Sequence, residues 1–122
     1  MMVVNYELFK TIKEGVMYSE SPEKYINEAG YPEYIDEFFP EMDDYTRCVE
    51  LIFKLANGTL KTNREMLYDV RTDFCSVYEI PVRTIQNMEL EETSPKEYIE
   101  DLINYTIFVD LFYNRGGNDG IK

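Results

Sequence analysis

The segment Glu79-Ile-Pro-Val-Arg-Thr-Ile-Gln-Asn-Met-Glu89 gathers the side chains best suited to chemistry with another macromolecule. Ile85 and Met88 supply an apolar side at helical spacing, and Pro81 sets φ for a helix start. Val82, Arg83, Thr84, Gln86 and Asn87 are then left to face outward. Arginine, asparagine and glutamine can hydrogen-bond base edges in two places at once, and threonine suits a phosphate oxygen. The chemistry these residues offer is recognition, because a nucleophile with an adjacent base is missing. The chain has no histidine, which removes the commonest general base and metal ligand. An enzyme is therefore not expected, and neither is a cofactor or metal. Asp36-Glu37, Glu41, Asp43-Asp44 and Glu91-Glu92 alternate with aromatics at helical steps and lack the spacing of a calcium loop, so they read as a solvated face.

The elements that must position this segment read as helices throughout. Phe9, Ile12 and Val16 recur at helical steps, and Ser21-Pro22 starts a second helix that Gly30 is placed to stop. Cys48, Val49, Ile52 and Leu55 form one face of a longer helix capped by Asp43 or Asp44 and ended by Asn57-Gly58. Shorter helices follow over Leu60–Leu67, Arg71–Tyr78 and Pro81–Met88. Ser94-Pro95-Lys96-Glu97 has the form of a capping box opening a final helix to about Asn114. The expected architecture is all-α and compact. It divides into an acidic helical region (1–57), a region holding the short helices and the long final one (58–114), and a tail (115–122). Tyr105, Phe108 and Phe112 make that final helix apolar nearly all round, which points to a dimer or partner face.

With Phe74, Cys75 and Tyr78 on the inner face of the helix before the turn, and Ile80 beneath the turn, residues 69–103 read as a helix-turn-helix. They resemble the Cro/repressor-type (Xre-like) family, whose short bacterial members carry a core like F-A-x-x-Y-G-I-P-x-R-T-[IL]-Q-N-W-E. The matching residues are Phe74, Tyr78, Ile80, Pro81, Arg83, Thr84, Ile85, Gln86, Asn87 and Glu89, with Leu60 and Arg64 upstream and Pro95 and Tyr98 downstream. The resemblance spans about residues 58–107. It implies a Cro/repressor-like domain in the C-terminal half that binds double-stranded DNA as a dimer. Base contacts would come from Val82, Arg83 and Asn87, with Thr84 and Arg71 near the backbone, and Gln86 completes the DNA-binding set. The departures are Glu79 in place of the turn glycine, Met88 in place of tryptophan, and Val70-Arg71 in place of a serine-glutamine start. A left-handed Glu79 would cost ~1 kcal/mol.

Charge supports a different expectation. Against 12 lysines and arginines stand 24 aspartates and glutamates, a net charge of −12. Residues 1–57 hold 5 bases and 12 acids, and residues 58–107 hold 5 and 10. Near the motif, Arg64, Arg71, Arg83 and Lys96 face Glu79, Glu89, Glu91 and Glu92. Such a balance repels nucleic acid and anionic membrane and attracts basic proteins. The alternative is thus an acidic protein-interaction or DNA-mimic protein on the same scaffold, with Glu79, Glu89, Glu91 and Glu92 as its contact acids. An antitoxin-like protein would combine both roles. No apolar run reaches the ~18 residues of a membrane span. The amino-terminal stretch reads as neither signal nor anchor, and Cys48 and Cys75 read as buried thiols, so a reducing cytoplasm is expected.

Overall fold

A computed structural model describes residues 3–31, 33, 35–90 and 97–115. All of its regular elements are helical, and no strand occurs among the described residues. The chain divides into two compact units, residues 1–57 and 58–122.

In the first unit, α1 (Tyr6–Val16) starts where the Asn5 side chain accepts a hydrogen bond from the Leu8 amide at 2.8 Å. Val4 and Phe9, the two positions a hydrophobic staple joins, are both fully buried. Ser21 caps α2 (Pro22–Ala29) through the Lys24 amide, and Gly30 leaves that helix at φ 76°, the left-handed region that glycine enters at little cost. α1 and α2 approach closely at Gly15, where an added Cβ would stand 2.3 Å from Cε1 of Tyr25. A short α3 (Ile35–Phe38) precedes α4 (Met42–Asn57), whose Tyr45, Cys48, Val49, Ile52 and Leu55 are buried. α4 packs against both α1 and α2. Phe39 meets the Tyr45 ring edge-on at 5.4 Å. Burial, and after it the electrostatic effect of the neighbouring Tyr25 and Cys48, holds the Tyr45 hydroxyl protonated well above its ordinary range. Burial likewise pushes the Cys48 thiol up, which makes it an inert core residue.

In the second unit, α5 (Leu60–Glu65) opens with a capping box between Thr59 and Thr62. α6 (Arg71–Tyr78) and α7 (Val82–Glu89) are eight-residue helices joined by Glu79-Ile80-Pro81. α5, α6 and α7 pack on one another, and α8 (Glu97–Val109) packs on α5. Their shared core includes Leu60, Phe74, Ile85, Met88, Ile107 and Phe108. The buried Asn63 donates to Asn104 at 3.0 Å, a polar link between α5 and α8.

Several boundaries differ from the sequence expectation. α5 ends at Glu65 because Met66 and Leu67 close it with tighter bonds to Asn63 and Arg64. α7 starts at Val82, since Pro81 is extended at ψ 133° and contributes only its carbonyl, to Thr84 and Ile85. The final helix is α-helical to Val109 and then widens into a π-helical turn over Asp110–Arg115. Asp110 at that junction accepts from the Tyr78 hydroxyl and, at 3.1 Å, from Asn114. The expected Ser94 capping box, and Glu91, Glu92 and Lys96, lie outside the described residues.

Candidate nucleic-acid interface

The turn between α6 and α7 decides where α7 points. Glu79 is left-handed at φ 56°, ψ 43°. The Ile80 amide bonds the Cys75 carbonyl at 3.0 Å, the six-to-one bond of a Schellman ending. A side chain at this position is strained, and no other non-glycine described residue has positive φ. Glu79→Gly is therefore expected to raise stability by about 1 kcal/mol. A urea midpoint that stayed level or fell would contradict the strain.

Beyond the turn, Ile85 and Met88 face the core, and successive residues sit ~100° apart round the helix. Arg83 falls opposite the buried side, with Asn87 one turn on. Val82, Arg83, Thr84 and Gln86 are exposed, and Asn87 is half-buried. The five outward candidates thus share one surface.

Glu89 does not join them. Its side chain has no exposure, because it lies on the inner side of α7, one turn after Ile85. Arg64 grips it with two hydrogen bonds, Nε to Oε2 at 2.9 Å and Nη2 to Oε1 at 3.0 Å. Arg71 adds a third, Nε to Oε1 at 3.1 Å. Nη1 of Arg64 donates to the carbonyls of Tyr68 and Asp69 at 3.0 and 2.7 Å. One buried guanidinium thereby ties α5, the connection to α6, and the last turn of α7 together. Burial alone would raise the Glu89 carboxyl, but the bonds from Arg64 and Arg71 outweigh it and hold it below the usual carboxylate range.

Three expectations change with this network. Glu89 is not a surface acid available to a basic partner, whereas Glu79 is exposed. Arg64, at 2% exposure, is withdrawn from any phosphate. Arg71 keeps its side chain 28% exposed but gives its Nε to Glu89. The helical wheel carried a signal for the pair: Glu89 follows buried Ile85 by four residues, and Arg64 follows buried Leu60 by four. Reading both as surface charges missed it.

Two of the three aromatic residues expected to form a partner face, Phe108 and Phe112, also turn inward. Phe108 is fully buried and Phe112 is 7% exposed, stacked on each other at 5.3 Å. Neither can form the face of a dimer; Tyr105 is half-buried. Instead Tyr98, Ile99 and Leu102 are the exposed apolar residues of α8.

Among the described residues no cluster of metal-ligating side chains occurs, and no helix is long and apolar enough to cross a membrane. No protein-family model, curated protein or solved structure matches the chain.

Proposed function

We propose that the C-terminal unit is a helix-turn-helix of the Cro/repressor kind and that the protein is a DNA-binding regulator, with α7 as the helix that enters the major groove. The observation that carries this reading is the outward side of α7. It presents Arg83, Thr84, Gln86 and Asn87, and its single acid, Glu89, is turned into the core. The helix thus offers a phosphate-tolerant surface despite a chain charge of −12. With Arg64 buried and Arg71 engaged by Glu89, few cations remain to meet phosphates. Affinity should therefore rest on base contacts, and its dependence on salt should be shallow for a DNA reader.

Genomic selection with the purified protein at ~50 mM salt, where phosphate attraction is little screened, tests this directly. An enriched palindromic site is expected, and Arg83→Ala should weaken its binding by about 1–3 kcal/mol, roughly 5- to 150-fold. Failure to retain any DNA at that salt would reject the reading.

A second reading is supported by the N-terminal unit. All its described carboxylates are exposed except Asp44, which is half-buried and paired with Arg47 at 3.1 Å. Such a surface suits a basic protein, in the manner of a DNA mimic or an antitoxin. Under that reading Arg83→Ala is silent, and reversing acids of residues 1–57 abolishes partner binding.

A further inference from the structure

We infer that the cleft between α6 and the end of α8 is a binding site for a small primary alkylammonium compound. Its volume is about 350 Å³, at the low end for small-molecule sites, which suits a ligand with a short carbon chain. Val77 from α6 and Val109 from α8 supply apolar wall, and Tyr78 and Tyr105 supply aromatic wall. Asp110, where the final helix widens into its π-helical turn, brings a carboxylate. Asn114, four residues on in the same π-helical segment, lines the cleft as well. Such widened turns are rare and concentrate at functional sites, and this one furnishes two of the polar residues of the cleft.

The hydrogen bonds around the cleft set the chemistry of its occupant. The Tyr78 hydroxyl donates its proton to Asp110. The Thr106 hydroxyl donates its proton to the Leu102 carbonyl at 3.0 Å. Asn114 gives Nδ2 to Asp110 at 3.1 Å. A hydroxyl whose proton is engaged can only accept further bonds, and a carboxylate only accepts. Tyr78, Thr106 and Asp110 thus turn lone pairs toward an occupant, which must bring the donors. A primary ammonium brings three together with a positive charge, and the faces of tyrosine rings attract it. An anion would meet lone pairs and a carboxylate, and a neutral alcohol brings one proton to three acceptors. The charge of −12 on the whole chain draws cations and repels anions. The carbon chain of the ligand then lies against Val77 and Val109. The assignment does not rest on α7 meeting DNA.

Titration of the isotope-labelled full chain with n-butylamine at neutral pH and ~150 mM salt, followed by NMR, is the test. Amide shifts should saturate and should concentrate at Val77, Tyr78 and residues 105–114. The alcohol n-butanol, with the same carbon chain and no charge, should bind at least about tenfold more weakly. Asp110→Asn keeps the side-chain shape and should weaken n-butylamine binding by at least about tenfold. Val77 is 53% exposed, so Val77→Trp should keep the fold while filling the cleft, and should abolish the saturable shifts. Glu50→Gln, at an exposed acid of α4, should change nothing, which separates a site from the general pull of an acidic surface. Shifts that never saturate, that spread over the exposed acids, or that survive Val77→Trp would overturn the assignment. So would n-butanol binding as tightly as n-butylamine. If Asp110→Asn loses its native spectrum, Val77→Trp and the n-butanol comparison still decide the matter. The DNA selection is read separately, so either reading can fail alone.

Discussion

Glu89→Ala is expected to cost about 3–5 kcal/mol of stability, because it leaves buried Arg64 with its charge uncompensated. The carboxylate takes three hydrogen bonds from two guanidiniums, and its side chain is wholly enclosed. Arg64 is itself 3% exposed along its side chain, so water cannot replace the lost partner. Two carbonyl contacts to Tyr68 and Asp69 would remain, which satisfy hydrogens but not charge. Urea unfolding followed by circular dichroism measures the loss, and a change within ~1 kcal/mol would show that the pair matters little. A double change, Arg64→Met with Glu89→Leu, removes charge and partner together and should recover much of the loss. It would separate the cost of an orphaned cation from the cost of missing contacts.

The same pair sets a direction for pH. The folded Glu89 carboxyl sits below its unfolded value of ~4.3, so its contribution is full above that pH. Stability from this group is lost as pH falls through the folded value. The Arg64→Met/Glu89→Leu protein should lack that part of the acid sensitivity.

The second large effect is expected at Phe108. Its ring is fully buried, parallel to Phe112 at 5.3 Å and edge-on to Tyr113 at 6.5 Å. Phe108→Ala should cost about 3–5 kcal/mol through lost burial and the cavity left behind. Leu102→Ala, six residues earlier on the exposed side, should alter stability of the monomer by no more than ~0.5 kcal/mol. Measured at a concentration below any self-association, this contrast reports which side of α8 faces the core. Equal costs would mean that the helix is turned differently from the arrangement described here.

Much of the chain's organisation followed from local chemistry. The Arg71–Tyr78 helix has the bounds that its periodicity and flanking residues implied. The N-cap at Ser21 and the stop at Gly30 stand where side-chain type placed them. Glu79 adopts the left-handed turn at which the resemblance puts a glycine. Periodicity also marked Ile85 and Met88 as the inward side of α7. These are short-range properties: a cap, a turn and a period are each written within a few residues.

What lay beyond reach was long-range. Glu89 and Arg64 are 25 positions apart, and each alone looks like a surface charge. Only when α5 and α7 pack do they meet, and then burial and charge pairing together make one an internal anchor and the other its clamp. Aromatic rings all round the final helix, likewise, said nothing about which side would be covered. Packing on α5 and the widened turn at Asp110 decide that Phe108 and Phe112 go inward while Tyr98, Ile99 and Leu102 stay out. The sequence by itself determined an all-helical chain, its caps, its left-handed turn and the outward set on α7, because side-chain type and period act within one helical turn. Tertiary structure alone decided which charges are spent inside and which apolar face remains open, because both depend on neighbours supplied by distant helices.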